Sequence, residues 1–248
     1  MSTMTISNET LDIFKKLFDV HQSLKIKAEN VETQTDADGN ECEVTVLRSK
    51  SQNQTMMARV HISEQFPRDV NFYDINEFIR VTKIVKDPVF DFSDNKFVTI
   101  SSSDGKQKLR YMESNPDLIT SYVDKDLPLS QTDIEVVITP QQLNSVLEAA
   151  KTMKLKYIGF ISDGETMRFS AFEKNNGDNK ETNNFSIDLT ECEDSFKMYY
   201  NLDVHNLSVL VDEGELMFSI DGNRKISKIE AESGKVFWIA CDTKSSMD

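Results

Sequence analysis

The amino-acid sequence predicts an α+β protein of two similar domains, each with two helices packed on antiparallel sheet. An internal repeat is the first observation behind this fold class. Residues 73–112 and 202–240 have the pattern of two copies of one unit, because each opens with a short helix and continues into three strands. Asp104-Gly105-Lys106 in the first copy corresponds in position to Ser233-Gly234-Lys235 in the second.

Hairpin signals along the chain are the second observation. Runs of alternating apolar residues are typical of strands. Asp-Gly turns bound several of these runs, at 38–39, 104–105, 163–164 and 221–222. Glycine supplies the positive φ that a tight hairpin turn requires, so the sheets are predicted to be largely antiparallel.

Four helices interrupt the strands, and apolar residues at helical spacing predict three of them. The first begins near Asn8, with Ser7 or Asn8 as its cap, and the third has Thr139 as cap and Pro140 at its first position. A short fourth helix is predicted over 203–210. The residues expected to be buried are, for the first three helices, Leu11, Phe14, Leu17 and Phe18; Ile75, Phe78, Ile79 and Thr82; and Leu143, Val146, Leu147 and Ala150.

Between the repeats lies a stretch with the character of a connector. The predicted organisation is an N-terminal domain over 1–113, an interdomain connector over 114–132 and a C-terminal domain over 133–248. Pro116 and Pro128 withhold backbone donors, so the connector is expected to cross the surface instead of pairing within a sheet. Its apolar residues could pack onto the domains or border a groove for a partner's peptide. A separate long polar loop is predicted over 174–181.

Composition narrows the classes of function. Forty-two acidic and 28 basic residues give a formal charge of −14, which on average repels nucleic acid and acidic membranes. The chain has no apolar run near the roughly 20 residues of a membrane span, and residues 1–8 lack the features of a secretion signal. A soluble, cytoplasmic protein is therefore expected.

Metal and redox sites are not expected. Cys42, Cys192 and Cys241 are odd in number and far apart, which favours reduced thiols. His21, His61 and His205 lie in different predicted elements with no second ligand at metal spacing. No metal and no cofactor is predicted.

Catalytic motifs are likewise absent from the sequence. Gly105-Lys106 and Gly234-Lys235 lack the glycine five residues earlier that a phosphate loop needs, so they are interpreted as hairpin turns. Residues 36–40 resemble a calcium loop only at its start, because Leu47 stands where the loop's final glutamate belongs. No serine or cysteine lies in a nucleophile elbow. We expect a protein that is not an enzyme.

Basic residues recur late on the exposed faces of three predicted helices. Cations at a helix C-terminus complement its dipole, by about 0.3–1 kcal/mol each, and this alone could explain them. Acidic residues, however, are sparse on these faces and abundant in the strands and turns, which favours a shared cationic surface. The residues that would form it are Lys15, Lys16, Arg80, Lys83, Lys86, Lys151 and Lys154.

Three segments carry a resemblance to a known family. They are Tyr73-Asp74-Ile75-Asn76-Glu77-Phe78 with its following strands, Asn115-Pro116-Asp117 at the start of the connector, and Gln141-Gln142-Leu143 in the third helix. In their order and spacing, over residues 9–240, the chain resembles the DNA polymerase sliding clamps, in particular those of T4-like bacteriophages.

The resemblance implies a fold, an assembly and a function. It implies the DNA-clamp fold and a homotrimer whose six domains close into a ring, with helices lining the hole through which duplex DNA passes. It also implies that the lysines and the arginine of the shared cationic surface face the phosphates of that DNA. Such a clamp is not catalytic: it tethers the replicative DNA polymerase as a processivity factor, is loaded by an ATP-dependent clamp loader, and in T4-like phages assists late transcription. For a phage protein the location is the host cytoplasm. The chain departs from a uniformly basic lining at Glu77 and Glu148 and in its poorly basic fourth helix, which offers only His205 as a possible cation.

The resemblance also places the contacts between subunits on two edge strands. The alternative is that both strands pair within their own subunit. The expected interface residues are Lys108, Leu109, Arg110, Tyr111 and Met112 on one strand, and Phe185, Ile187 and Leu189 on the other. Partner peptides are expected at the connector residues Leu118, Ile119, Tyr122 and Val123, whereas Trp238 is expected in the core.

An acidic DNA mimic is the alternative function. Such a protein would bind a nucleic-acid enzyme through carboxylates clustered on one face. A hydrolase is a more distant alternative and would need a deep pocket in which titratable groups converge.

Overall fold

The computed structural model describes residues 2–35, 39–174 and 181–247, so the interior of the predicted 174–181 loop lies outside the described residues. The chain divides into two compact units, Met1–Asp126 and Leu127–Asp248. This division falls within the stretch predicted as a connector. The observed architecture is α+β and dominated by antiparallel sheet, as predicted.

In its described residues, the last regular element of the first unit is a 3₁₀ turn, Pro116–Leu118, after two α-helices and nine strands. In chain order they are β1 Thr3–Met4, α1 Asn8–Val20, β2 Leu24–Ile26, β3 Val31–Thr35, β4 Glu41–Lys50, β5 Met56–Ile62, β6 Val70–Phe72, α2 Ile75–Thr82, β7 Pro88–Asp91, β8 Phe97–Ser102 and β9 Lys108–Met112. Strands β1-β7-β8-β9 form one sheet in that order, β3-β4-β5 are consecutive neighbours, and β2 pairs with β6. All of these pairings are antiparallel.

Both helices of the first unit follow their predicted spacing. The Ser7 side chain caps α1 by accepting a hydrogen bond from the Thr10 backbone N–H. The Asp74 side chain caps α2 by accepting a hydrogen bond from the Glu77 backbone N–H. The buried residues of α2 are the four predicted; in α1, Phe14 and Leu17 are buried, whereas Leu11 and Phe18 are only half-buried. These stripes pack into an aromatic core in which the rings of Phe72 and Phe78 lie 4.2 Å apart.

The second unit repeats this order. Its elements are β10 Ile134–Ile138, α3 Pro140–Met153, β11 Tyr157–Asp163, β12 Thr166–Lys174, β13 Glu181–Glu191, β14 Ser195–Asn201, a 3₁₀ turn Leu207–Leu210, β15 Leu216–Asp221, β16 Ile226–Ala231, β17 Val236–Ala240 and β18 Ser246–Met247. Strands β10-β15-β16-β17 are arranged as β1-β7-β8-β9 are in the first unit, which confirms the repeat. Strands β13-β12-β11-β14-β18 form a second sheet.

Equivalent turns and core positions reinforce the repeat. Gly105 and Gly234 both have positive φ, +72° and +80°, in the turns that precede β9 and β17. Phe90 in β7 and Phe218 in β15 are both buried, and Trp238 in β17 is a core residue as predicted.

The prediction of a fourth α-helix over 203–210 is wrong, because the helical part of this segment is a 3₁₀ turn. Residues 203–206 form turns, and only Leu207–Leu210 is helical, as a 3₁₀ turn capped by Asn206. Its buried residues are Leu207, Val209 and Leu210, a spacing that does not produce one apolar stripe on an α-helix. Among its described residues, the second unit therefore has one α-helix where two were predicted.

One turn glycine also differs from its prediction. Gly222 does not have positive φ; Lys225, three residues later, has φ +54°. A Cβ on Gly222 would lie 2.5 Å from the Met247 sulfur. A side chain at position 222 would therefore require the flexible Met247 side chain to shift.

Candidate functional site

The predicted cations of the first unit lie on two helices that contact each other, α1 and α2. Arg80, Lys83 and Lys86 are exposed, on or just beyond the face of α2 opposite its buried stripe. Lys15 is exposed on α1 and Lys16 is half-buried. Of these, Lys15, Arg80, Lys83 and Lys86 form no ion pair with any residue in the described ranges. Their charges are available to an external anion.

An acidic residue moderates the charge on α1. Burial raises the pKa of the Asp19 carboxyl, and the charges of Lys15 and Lys16 partly counter that rise. A carboxylate close to both lysines reduces the positive potential at this end of α1. The stronger cationic surface of the first unit is therefore at Arg80, Lys83 and Lys86.

In the second unit the predicted cations sit at the end of α3. Lys151 is in the last turn, and Lys154 ends the helix in a left-handed conformation with φ +56°. Both side chains are exposed. Within the part of the chain that the structure describes, neither forms an ion pair.

His205 cannot serve as a cation on this surface, contrary to the prediction. Its side chain is buried next to Tyr200, with the two ring centroids 6.4 Å apart. Burial lowers the pKa of the imidazole below its usual value. Neutral His205 is part of the core.

The two strands predicted at the subunit interface are both sheet edges. Among described residues, β9 pairs with β8 alone and β13 with β12 alone. Each strand therefore presents one unpaired backbone edge, and full pairing of both strands within the subunit is wrong. Exposed Lys108 and Arg110 make the β9 edge cationic. On β13, exposed Asp188 is paired with Arg168 at 3.0 Å, and Glu191 is a further exposed carboxylate.

Tyr111, one of the predicted interface residues, has its side chain buried within its own unit. Its ring packs against Phe78 with centroids 5.3 Å apart, and its hydroxyl donates to the Asp74 carbonyl at 3.1 Å. Side chains alternate along a strand, so Tyr111 faces the core while Lys108, Arg110 and Met112 face outward. Leu109 and the three apolar residues of β13, Phe185, Ile187 and Leu189, are half-buried.

The connector contributes to a surface cavity in the first unit. The cavity has a volume of about 320 Å³ and is lined by Phe18, Val20, His21, Gln22, Ser23, Gln52, Tyr73, Leu118 and Thr120. Leu118 is 59% exposed and Tyr73 is 57% exposed. We call this cavity the Leu118 pocket. Large exposed apolar side chains beside a cavity are suited to a partner's apolar anchor.

The other predicted partner residues, Ile119, Tyr122 and Val123, are not among the residues that line the Leu118 pocket. Ile119, itself a connector residue, has a buried side chain and so presents little surface to a partner; its docking role stays a prediction. Tyr122 is half-buried: its hydroxyl accepts a hydrogen bond from Asn30 at 3.2 Å, and the Lys25 ammonium lies 5.1 Å from its ring centre. Val123 is half-buried. Sequence reasoning missed Tyr73 and Phe18 as pocket residues, although Tyr73 begins one of the segments that carried the family resemblance.

Neither candidate metal clusters nor membrane-spanning helices occur among the described residues. These residues contain no group of three or more His, Cys, Asp or Glu side chains that could hold a metal ion. They also contain no helix with the length and apolar character needed to cross a membrane.

Comparisons with known proteins identify a sequence relative and structural relatives of this chain. No protein-family model matches the chain. The chain is 23% identical over 164 residues to the sliding clamp of Vibrio phage KVP40, an alignment that covers 65% of this chain and 73% of the phage protein.

Solved structures match over nearly the whole chain. PCNA of A. fulgidus bound to the C-terminal region of FEN-1 matches with a TM-score of 0.65 and 13% identity, over 99% of this chain and 100% of PCNA. The Helicobacter pylori β clamp bound to a DNA ligase peptide matches with a TM-score of 0.64 and 9% identity, over 97% of this chain and 65% of the β clamp. The chain therefore has the clamp fold.

Proposed function

We infer that this protein is a sliding clamp of the bacteriophage type and that it acts as a processivity factor for a DNA polymerase. The similarity to the KVP40 clamp is the observation that carries this function. The clamp fold over both units supports it, as do the exposed cations of α2 and α3, which form no ion pairs in the described parts of the chain.

The assembly that fits this function is a homotrimeric ring. Two different edges, β9 and β13, are available on each chain, so a head-to-tail contact can repeat until the ring closes. The cationic β9 edge of one subunit would meet a β13 edge that carries the exposed carboxylate of Glu191. Such complementarity favours the correct register between subunits.

Duplex DNA would be bound through its phosphates without regard to sequence. The proposed contacts are Lys15, Lys16, Arg80, Lys83, Lys86, Lys151 and Lys154. Each phosphate contact increases the salt dependence of binding, because condensed counterions are released. A small number of contacts permits sliding, and encirclement supplies the persistence that weak contacts cannot.

Partner proteins complete the proposal. The related structures are clamps bound to peptides from FEN-1 and DNA ligase, and the Leu118 pocket is the place for such a peptide here. We propose as partners the DNA polymerase, a clamp loader and late transcription machinery, in the host cytoplasm. The chain would act as a scaffold without catalytic activity.

Retention on DNA of different topology tests this function. We expect a native mass of three times 28.4 kDa and retention of the loaded protein on nicked circular DNA. Cutting the circle should release the protein, because only an encircling ring slips off free ends. Equal retention on circular and linear DNA would overturn the proposal. An acidic DNA mimic would bind its target enzyme and would not be retained on either DNA.

A further inference from the structure

Two arginines lie directly opposite each other on neighbouring strands of the first unit. Arg48 on β4 is paired in register with Arg59 on β5. Their side chains are only 11% and 25% exposed. Like charges directly opposite on an antiparallel pair destabilise it, and partial burial increases this repulsion. The pair therefore needs a compensating anion.

Asp126 of the connector supplies that anion. The Arg48 Nε donates to Asp126 Oδ1 at 2.7 Å, and the Arg59 Nη1 donates to Asp126 Oδ2 at 2.6 Å. Each carboxylate oxygen thus serves one arginine. Glu32 lies farther away, with one oxygen 3.5 Å from the Arg48 Nη2. We call the Arg48, Asp126 and Arg59 contact the clasp.

The clasp lies at the C-terminal end of a connector segment that contacts the body of the first unit at several residues. Ile119 is buried, and the Ser121 carbonyl accepts a hydrogen bond from the Lys50 backbone N–H at 2.8 Å. The Ser121 hydroxyl, also buried, accepts a hydrogen bond from the Ser23 hydroxyl at 3.2 Å. Asp126 is the last residue of the first unit, so the clasp fixes the far end of this segment.

The same segment forms a wall of the Leu118 pocket. Leu118 and Thr120 reach the pocket from the connector, whereas its other lining residues come from the body of the unit. The shape of the pocket therefore depends on where the connector lies.

We propose that Asp126 is a positioning residue for partner binding: the clasp holds the connector against β4 and β5 and thereby sets the wall of the Leu118 pocket. The inference rests on the proposed function in one respect, that a polymerase docks at this pocket. The fastening of the connector is independent of that function and can be measured without DNA.

Hydrogen exchange measures the fastening directly. In Asp126→Asn and in Arg59→Gln we expect the Lys50 amide and the amides of 119–126 to exchange at least about tenfold faster, as loss of a hydrogen bond to a charged group produces. The double variant should add little to Asp126→Asn alone, because Asp126→Asn already removes the carboxylate to which Arg59 donates. Arg59→Lys, which keeps the charge, should retain part of the protection.

Matched controls separate the clasp from a general loss of charge. Asp117→Asn removes an exposed connector carboxylate, and Lys96→Gln removes an exposed cation of the same unit; both should leave the Lys50 amide unchanged. Amides of β8, a central strand of another sheet in the first unit, report whether that unit remains folded. If β8 exchange also rises in Arg59→Gln, the comparison is made in the milder Arg59→Lys variant. Unchanged exchange at Lys50 in both clasp variants would overturn the inference.

Processive synthesis tests the positioning role. On primed circular DNA with the cognate polymerase and loader, Asp126→Asn should lower processivity several-fold while the native mass stays that of the wild type. If hydrogen exchange shows that the connector is released in Asp126→Asn and processivity is nevertheless normal, the positioning role is overturned. Failure of the wild-type chain to raise processivity would instead overturn the proposed function, and the exchange result would still decide whether the clasp fastens the connector.

Discussion

At the residue scale, the second unit contains a buried ion pair. The Glu213 side chain is completely buried and accepts hydrogen bonds at 2.5 Å from both the Ser233 hydroxyl and the Lys235 ammonium. Removing one partner of such a pair leaves an uncompensated charge in the interior. The pair therefore makes the turn between β16 and β17 sensitive to substitution.

We expect Lys235→Met to lower the free energy of unfolding of the second unit by about 3–5 kcal/mol. Lys228→Met is the matched control, because Lys228 pairs with Glu230 at the surface, where an ion pair contributes within about 1 kcal/mol. Denaturant unfolding followed by Trp238 fluorescence measures both changes. Equal losses of stability in the two variants would contradict the assigned role of Glu213.

Three histidines make the free energy of unfolding depend on pH. Burial is the largest cause of a lowered pKa at His21, His61 and His205. The unfolded chain therefore binds more protons than the folded chain once the pH falls below about 6.5. Stability that is fully present above this pH is lost as the pH falls toward the lowered pKa values of the folded protein.

We expect the free energy of unfolding to decrease between pH 7.5 and pH 5.5. His205→Gln should reduce that pH dependence, because a neutral side chain does not titrate. Denaturant midpoints at the two pH values provide the measurement. A variant with the full wild-type pH dependence would show that His205 does not contribute.

At the scale of elements, the β9 edge carries the proposed assembly. Met112 is 64% exposed at the end of β9, on the face that also presents Lys108 and Arg110. Aromatic packing of Tyr111 anchors the strand from the opposite face. The edge is therefore held rigidly in place, which favours pairing with another chain.

We expect Met112→Glu to convert the trimer to a monomer of 28.4 kDa, because an unpaired interfacial charge costs about 2–5 kcal/mol. Val137→Glu is the control: Val137 is an exposed apolar strand residue, 51% exposed, outside the proposed interface. Sedimentation or light scattering gives the masses. A trimeric Met112→Glu variant, or a monomeric Val137→Glu variant, would count against the assignment of β9.

At the scale of the whole molecule, the charge of −14 is compatible with DNA binding only if the cations are placed locally. The α2 surface with Arg80, Lys83 and Lys86 meets that condition within the first unit. The remaining acidic surface limits nonspecific adhesion to nucleic acid.

We expect Arg80→Gln with Lys83→Gln to weaken DNA binding and to reduce the salt dependence of the binding constant, by about 0.9 in logarithmic slope for each phosphate that is no longer neutralised. Lys96→Gln with Lys106→Gln removes the same charge from exposed hairpin turns and should leave that slope unchanged. Binding titrations over a range of salt concentrations measure the slopes, with native mass as a check that the trimer persists. Equal slopes in the two double variants would refute the α2 surface as a DNA contact.

The sequence by itself determined the features that depend on local periodicity. The apolar spacing of α2, the caps at Ser7 and Thr139 and the repeated strand order were all predicted, because side-chain direction in a helix or strand follows from position along the chain. The resemblance to sliding clamps, which the comparisons confirm, also came from local segments taken in order.

Only the tertiary structure decided the features that depend on the path of the chain. Arg48 and Asp126 are 78 residues apart in sequence, and no local pattern indicates that they meet. Burial of Ile119 and His205, and the 3₁₀ turn in place of a fourth helix, likewise depend on what packs against each segment. Spacing along the chain specifies which face a residue occupies, but the contacts made by that face are set by the packing of distant segments.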